Sequence, residues 1–267
     1  MRIKTDWIIN IGVILFLLLV CISSSYGQGR VEWTGDINNN WNNPGNWLVL
    51  SGSPMLPPAK DVDGDTVIIP STMIAPVVMD GDSAFARKLI LLDEAILTIA
   101  AGGVLIVENS FDIGLINAGL INNNGKTTID SSYMDGVINQ STGSIINNGI
   151  FEILEGLGDR LKNYGTIINN ASGQFLAGGG IGKGLINYPD ASITNSGDFK
   201  VEYSHEDTLM INWGMIINHA GAAFTVDGGK GVGSILMQGS QIQNAGIFNA
   251  ERSNGTKLII LQVLPYL

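Results

Sequence analysis

Five acidic residues in the middle of the chain have a spacing that could bring carboxylates together. They are Asp130, Asp135, Glu152, Glu155 and Asp159. Enzymes that cleave polysaccharides group two or three carboxylates around the scissile bond, and a chain with a 24-residue repeat would stack Asp135 on Asp159. Lys126, Arg160 and Lys162 lie close by and could hold an acidic sugar. These residues define an enzyme hypothesis, although solubility alone also places acids in turns.

A second acidic group has the alternating pattern of calcium ligands. Asp61, Asp63 and Asp65 stand at every other position, and hard cations take such oxygen ligands. The pattern of an EF-hand stops there, because Thr66 stands where the loop needs glycine and Thr72 where it needs the closing carboxylate. We interpret the segment as a solvated acidic turn, with calcium as the alternative. No other cofactor is expected.

Nucleophilic and zinc chemistry have few candidate residues in this chain. His205 and His219 are the two histidines, and Cys21 is the single cysteine. No G-x-S-x-G motif is present. Both histidines fall in polar turns between apolar runs, so we interpret them as solvated turn residues and not as catalytic bases.

Short apolar runs that end in asparagine recur through most of the chain, with a period near 24 residues. They fall into two phases, so a unit carries two such runs. The first phase ends at Asn117, Asn139, Asn163, Asn187 and Asn212, and the second at Asn147, Asn169, Asn195, Asn218 and Asn244. Weaker runs extend the period upstream, which gives about eight units between residues 65 and 260.

The repeat predicts an all-β fold, a single-stranded parallel β-helix (β-solenoid) with rungs of 22–26 residues. The runs are too short for helices, and many of their residues are β-branched. One unit could not bury its apolar side chains, whereas units stacked about 4.8 Å apart could. Equivalent asparagines in successive rungs would then hydrogen-bond as a ladder. A sandwich or propeller is the alternative, but propeller blades repeat at about 40 residues or more.

Both ends of the repeat region carry apolar segments that need an explanation. Residues 28–64 contain Trp33, Trp41 and Trp47 and a proline-rich stretch. A solenoid needs a cap over its first rung, so we interpret this segment as the cap, with a sugar-stacking platform as the alternative. Residues 257–267 are apolar. They predict either a plug on the last rung or an early stop that truncates a longer rod, and an exposed run would promote end-to-end association.

The first 27 residues have the pattern of a secretory signal. Arg2 and Lys4 precede an apolar run over residues 7–22, and small residues follow at Ser25 and Gly27. The run is short for a bilayer span, so no membrane span is expected in the mature chain. A lipoprotein acylated at Cys21 is the less favoured alternative. The expected organisation is a signal peptide (1–27), a cap (28–64) and a parallel β-helix (65–267).

The charge excludes one class of function. The formal net charge is −10 and only 14% of residues are charged. Such a chain has no basic surface to neutralise phosphates, so nucleic acid is not an expected partner.

Several motifs of the opening segment form a recognisable pattern. They are Trp33-Thr34-Gly35, Trp41-Asn42-Asn43-Pro44-Gly45-Asn46-Trp47, Pro57-Pro58 and Asp65-Thr66-Val67-Ile68-Ile69-Pro70. This pattern resembles secreted surface proteins of Bacteroidetes-type bacteria, and the asparagine repeats are similar to autotransporter and filamentous-haemagglutinin passenger repeats. The resemblance implies export to the cell surface, a β-helical rod, and an adhesive or scaffolding role.

The combined expectation is a secreted or cell-surface β-solenoid with a structural or adhesive role and no catalysis. Surface glycans and host or cell-surface proteins are the expected partners. A polysaccharide lyase or hydrolase that uses Asp135, Asp159, Glu152 and Glu155 is the runner-up, and a truncated fragment of a larger adhesin is the third hypothesis. The ligand, the handedness of the coil and the anchoring route stay open.

Overall fold

The chain forms three β-sheets that wind around one apolar core, and all their strand pairs are parallel except one antiparallel pair at the N-terminal edge. The computed structural model describes residues 29–58, 65–203, 205, 208–228, 232–251, 256 and 258–260. The expected signal peptide, with Cys21, lies outside the described residues. Within them, the structure contains no helix that could span a membrane.

Two strands and a short 3-10 turn precede the repeat, and eight rungs of three strands follow. The elements before the third rung are β1 (Arg30–Trp33), the 3-10 turn (Pro44–Asn46), β2 (Trp47–Ser51), β3 (Thr66–Ile69), β4 (Val77–Val78), β5 (Ser83–Ala86), β6 (Lys88–Leu91), β7 (Ile96–Ile99) and β8 (Val104–Glu108). The next three rungs are β9 (Leu115–Asn117), β10 (Leu120–Asn123), β11 (Lys126–Asp130), β12 (Val137–Asn139), β13 (Ser144–Asn147), β14 (Ile150–Ile153), β15 (Leu161–Asn163), β16 (Thr166–Asn169) and β17 (Gln174–Gly178). The last strands are β18 (Leu185–Asn187), β19 (Ser192–Asn195), β20 (Asp198–Glu202), β21 (Thr208–Asn212), β22 (Met215–Asn218), β23 (Ala223–Asp227), β24 (Val232–Leu236), β25 (Gln241–Asn244), β26 (Ile247–Glu251) and β27 (Leu258–Ile260).

Every third strand pairs with its equivalent in the next rung. The first sheet, called sheet A, has the order β2-β1-β3-β6-β9-β12-β15-β18-β21-β24-β27. Sheet B contains every third strand from β4 to β25, and sheet C contains every third strand from β5 to β26, so each has eight strands. From β3 onward, paired residues in sheet A are 22 to 26 positions apart in the sequence, as Thr66 and Lys88 (22) and Leu89 and Leu115 (26) show. The predicted parallel β-solenoid of about eight rungs is therefore confirmed.

The core is built from vertical rows of like side chains. Sheet C contributes a stack of five phenylalanine rings with centroids 4.6 to 5.3 Å apart and planes within 7° of parallel. Its members are Phe151, Phe175, Phe199, Phe224 and Phe248. Sheets A and B contribute buried leucine, isoleucine and valine from alternate positions of each strand. The period-2 alternation within strands and the period near 24 along the chain thus produce one continuous core.

Asparagines occupy two of the three corners and confirm the predicted ladders. At the corner from sheet A to sheet B, the side-chain amide of each asparagine donates to the side-chain oxygen of the next across 2.7 to 2.8 Å. This first ladder runs from Asn117 to Asn212. At the corner from sheet B to sheet C, a second ladder runs from Asn123 to Asn244 with the same spacing. The ladders satisfy polar groups that are buried where the chain turns.

The turns between sheets A and B alternate in length. From the second rung to the eighth they contain four, two, four, two, four, two and four residues.

The position directly before a sheet C strand has no room for a side chain. A Cβ on Gly149 would overlap the carbonyl oxygen of Gly125 one rung below. This close approach explains why glycine recurs beside the asparagines.

The tryptophans of the opening segment belong to the core. Trp33 and Trp41 are fully buried and both pack edge-on against Trp47, with ring centroids 5.0 and 4.7 Å apart. The indole N–H of Trp47 donates to the carbonyl oxygen of Trp41 across 2.8 Å. Strand β1 pairs in parallel with β3, so the segment continues sheet A past the first rung. With their rings buried, these tryptophans offer no stacking surface for a sugar.

The other end of the described chain is less covered. Strand β27 pairs in parallel with β24, and Leu258 and Ile260 are exposed. Residues 257 and 261–267, on which the plug and truncation hypotheses depend, lie outside the described residues.

Candidate functional site

The two acids 24 residues apart lie one above the other around a shared lysine. Lys162 Nζ is 2.8 Å from Asp135 Oδ2 and 3.3 Å from Asp159 Oδ2. The second oxygen of Asp135 accepts from the backbone N–H of Asp159 at 3.0 Å, and that of Asp159 accepts from the N–H of Lys183 at 2.9 Å. Burial alone would lower the pKa of Lys162, but its hydrogen bond to Asp135 and the charges of both acids outweigh that and raise the pKa. Both carboxylates are thus engaged in holding successive loops together.

The other candidate acids lie on different surfaces. Glu152 points outward from sheet C, 2.9 Å from Lys126 Nζ. Glu155 is exposed in the loop after β14, and Asp130 accepts from the hydroxyl of Ser131 at the end of β11. The structure therefore pairs Asp135 with Asp159 and does not group Glu152 with them on one face.

Arg160 is the buried cation of this region. Its guanidinium donates to the carbonyl oxygens of Leu154, at 3.0 Å, and of Gly158. Burial lowers the pKa of Arg160, opposed by the charges of Asp159, Asp135 and Asp130. Arg160 therefore fixes the shape of its own loop and is not available to hold a substrate.

The calcium candidates can be described only in part. Asp61 and Asp63 lie outside the described residues, and the Oδ1 atom of Asp65 accepts from the backbone N–H of Gly29 at 3.0 Å. Among the described residues, no three His, Cys, Asp or Glu side chains are grouped as metal ligands. The two histidines are both exposed, His205 in the loop after β20 and His219 in the turn after β22.

The corner from sheet C back to sheet A carries an exposed row of mostly apolar side chains. This corner row consists of Phe111, Tyr133, Leu157, Ile181 and His205. Backbone N–H groups of the last four donate to carbonyl oxygens of the loop below, across 2.8 to 3.1 Å, which keeps the row in register from rung to rung. The four apolar members are 46 to 65% exposed. At one rung per residue the row is about 19 Å long.

A shallow groove of about 430 Å³ follows the corner row. Tyr133, Leu157, Ile181 and His205 line it together with Glu155 and small residues of the same loops. Its floor includes Gly156 and Gly180, which let the loops approach one another closely. The row and the groove thus form one surface on which exposed apolar side chains lie beside Glu155 and His205, and exposed apolar patches often mark interaction sites.

Tyr203, two residues before His205 in the same loop, has a strained backbone conformation. Its φ is 47°, in the left-handed region, and its side chain is 60% exposed. Tyr203 is the first residue after a strand of sheet C. In two neighbouring loops this position is occupied by glycine, Gly179 and Gly228, and both also have a positive φ. A bulky residue held there at a cost is typical of a functional surface.

A second exposed feature is a column of three rings at the corner from sheet A to sheet B. This aromatic column consists of Tyr164, Tyr188 and Trp213, each directly after an asparagine of the first ladder. Tyr164 and Tyr188 stack with centroids 3.9 Å apart, and Trp213 stacks on Tyr188 at 5.7 Å. Burial and a hydrogen bond with Tyr164 raise the pKa of Tyr188 to about 12.

The asparagine pattern in the sequence does not predict the corner row or the aromatic column, although the members of each recur at a regular spacing. Tyr133, Leu157, Ile181 and His205 are spaced at 24 residues, as are Tyr164 and Tyr188. The row was hidden because its members differ in type, whereas the asparagine repeats are uniform.

The fold defines the chain as a parallel β-solenoid. No family model and no curated protein matches it. A solved structure that is similar is the crystal structure of a TibC-catalysed, hyper-glycosylated TibA fragment, with 13% identity and a TM-score of 0.21, covering 75% of this chain and 86% of that chain.

Proposed function

We propose that this chain is a structural and adhesive module of the cell surface, a rigid β-solenoid that binds a partner protein along its corner row. The corner row carries the proposal. It presents four exposed apolar side chains in register over successive rungs, whereas the leucine, isoleucine, valine and phenylalanine rows inside the rod are buried. Phe111 and Tyr133 supply aromatic anchors of the kind that protein interfaces favour, and Leu157 and Ile181 add apolar area beside them.

The rod supplies the rigidity that such a surface needs. The ladders and the phenylalanine stack fix each rung on the next, so the row is held in its binding geometry before a partner arrives. A preformed surface loses little side-chain and loop entropy on binding.

The charge around the row indicates the partner's chemistry. Glu155 lines the groove and Asp130 ends the adjacent strand, within a chain of net charge −10. Charge complementarity favours a protein with an apolar patch flanked by lysine or arginine. An extracellular location follows from the secretory pattern of residues 1–27, and export is part of the proposal.

The arrangement of the acids supports a role without catalysis. Asp135 and Asp159 each use one carboxylate oxygen on a backbone N–H and the other on Lys162. A glycosidase needs one acid poised to give a proton and another free to attack or to activate water. Carboxylates held in this way stabilise loops instead.

The test measures adhesion of purified residues 28–267 on beads to an array of identified extracellular proteins, basic and acidic, under flow. We expect retention on basic proteins, reduced at least about tenfold by a Tyr133→Ser and Leu157→Ser double variant. A matched control, Leu92→Ser with Ile96→Ser, removes two exposed apolar side chains from another surface and should bind as the unchanged protein does.

Three outcomes would contradict the proposal. They are no retention on any protein, equal losses in both double variants, and release of new chain ends from soluble polysaccharides that is lost in Asp135→Ala with Asp159→Ala. The last result would make the chain an enzyme. Export is tested separately by whether the chain expressed with residues 1–27 leaves the cytoplasm and the chain without them stays.

A further inference from the structure

The alternating turns leave a notch at the seventh rung, beside the aromatic column. The turn between β21 and β22 has two residues, whereas the turns below and above it, 188–191 and 237–240, have four. The short turn is recessed between the two longer ones. The resulting notch has a volume of about 430 Å³, within the range of small-molecule sites. Its lining includes Asp190, Ser192, Trp213, Gln238, Gly239 and Gln241.

Trp213 forms the aromatic wall of this notch. Tyr188 stacks on the indole from the rung below, with planes 15° apart. On the side of the next rung no aromatic ring follows, because Met237 is the next residue in the vertical row. The indole is half-buried and lines the notch together with Gln238 and Gly239.

The fifth rung also has a two-residue turn between sheets A and B, but there an aromatic residue follows in the next rung. There the two-residue turn carries Tyr164, and Tyr188 of the next rung covers that ring at 3.9 Å. Trp213 is therefore the last ring of the column, with no aromatic ring after it on the side of the eighth rung. Its rings pack in parallel, so it offers one flat platform and not a cage of rings at right angles.

The polar groups of the notch complement hydroxyl groups. Gln238 and Gln241 each carry an amide that donates and accepts, Ser192 carries a hydroxyl, and Asp190 carries a carboxylate. Asp190 has a φ of 66°, at a turn position where the eighth rung has Gly239 at 83°. Aspartate adopts this left-handed conformation more readily than most residues, and Asp190 lies in the lining of the notch.

We propose that this notch binds a neutral sugar unit of a glycan, with the C–H face of the pyranose ring on Trp213 and its hydroxyls on Asp190, Gln238 and Gln241. The lining offers no lysine or arginine, so an acidic sugar would meet Asp190 with its own negative charge uncompensated. A flat platform fits a ring, whereas an organic cation is bound best by several aromatic faces. The site goes beyond the proposed function, which depends on a different corner of the rod.

Tryptophan fluorescence reports this site directly. Trp33, Trp41 and Trp47 are buried in the core, while Trp213 is partly exposed at the notch. Neutral hexamers of glucose, mannose, xylose and N-acetylglucosamine are titrated into residues 28–267, to about 10 mM so that millimolar affinities are seen. We expect a saturable blue shift with at least one hexamer.

The variants assign the binding to the notch. Gln241→Ala keeps the column and should weaken binding about three- to tenfold, and Trp213→Ala, followed by calorimetry, should weaken it more than about tenfold. Tyr164→Ala removes the ring at the other end of the column, which does not line the notch, and should change affinity less than about twofold. Thermal melts of each variant distinguish lost contacts from lost folding. The Tyr133→Ser and Leu157→Ser variant should bind sugar normally, so the notch and the corner row fail or succeed independently.

Four results would overturn the assignment. They are no saturable response to any neutral hexamer, an affinity unchanged by Trp213→Ala, tighter binding of a galacturonate hexamer, and tighter binding of tetramethylammonium. The last two would replace a neutral sugar by an anion or an organic cation.

Discussion

The hydroxyl of Thr127 donates to the side-chain oxygen of Asn123 across 3.1 Å, at the N-terminal end of the second asparagine ladder. Thr127 is fully buried in sheet C, in the core row where its strand partners are Leu105 and Phe151. A threonine in that row is explained by Asn123, because the preceding rung has Ile99 at the ladder position and offers no donor. The first ladder lacks such a cap: Asn117 follows Leu91, and its side-chain oxygen finds no hydrogen-bond donor within the described residues.

Replacing Thr127 by valine should therefore destabilise the fold although it keeps the shape. The Asn123 oxygen would be left buried without a donor, at a cost of about 1 to 3 kcal/mol. Urea unfolding measures the loss as a lower midpoint. Thr225→Val, at an outward position of sheet C, is the matched control and should change stability by less than about 0.5 kcal/mol. Equal effects of the two substitutions would show that the cap contributes nothing.

The position of an asparagine within a ladder should set its contribution to stability. Asn163 accepts from Asn139 and donates to Asn187, so Asn163→Leu breaks two buried hydrogen bonds and leaves the Asn187 oxygen unpaired. We expect a loss of about 2 to 4 kcal/mol. Asn244 ends its ladder and is exposed, so Asn244→Leu should cost about 0.5 kcal/mol or less. Comparable midpoints for the two variants in urea would argue against ladder cooperation.

The sequence predicted what repeats in type and missed what repeats only in position. Ten ladder asparagines were predicted because they recur with a period near 24, seven of them directly after two apolar residues. Asn123 was not, since it lies in a run of three asparagines and only the structure shows which one faces inward. The notch depends on turn lengths, and its lining joins residues from 189 to 241 of unlike types. Asp135 and Asp159 were predicted to stack, but their engagement with Lys162 depends on loop geometry that spacing does not encode.

Relief of the strain at Tyr203 should raise stability. Glycine tolerates a φ of 47° and tyrosine does not, so Tyr203→Gly should stabilise the fold by about 0.5 to 1 kcal/mol. Tyr133 is equally exposed but has no positive φ, so Tyr133→Gly should destabilise. Thermal unfolding of both variants provides the comparison. A lower melting temperature for Tyr203→Gly would show that its ring makes contacts worth more than the strain. If the ring serves adhesion, the stabilised variant should also be retained less on the protein array.

Tyr188 should make the fold sensitive to alkali. Its pKa rises from an ordinary 10.0 to about 12, first because of burial and then because of its hydrogen bond with Tyr164. The folded state thus favours the neutral phenol. This contribution to stability is complete below pH 10 and is lost as the pH rises from 10 through 12. Phenolate absorbance near 295 nm should show a step centred near pH 12 that is missing in Tyr188→Phe. Tyr133→Phe should leave that step in place, and a step that persists in Tyr188→Phe would contradict the assignment.

Removal of Lys162 should expose the repulsion between the two acids it joins. In Lys162→Met, Asp135 and Asp159 keep their backbone hydrogen bonds but lose the shared cation while mostly buried. We expect a loss of about 2 kcal/mol at pH 7, with part of it recovered when Asp135→Asn is added, because one charge is then gone and the amide oxygen still accepts from Asp159. Lys200→Met breaks an exposed pair with Asp198 and should cost less than about 0.5 kcal/mol. Urea unfolding of the three variants at pH 7 decides the matter. If Lys162→Met were as stable as Lys200→Met, the ion pairs of Asp135 and Asp159 with Lys162 would not stabilise the fold. The hypothesis that these carboxylates are catalytic would then be supported.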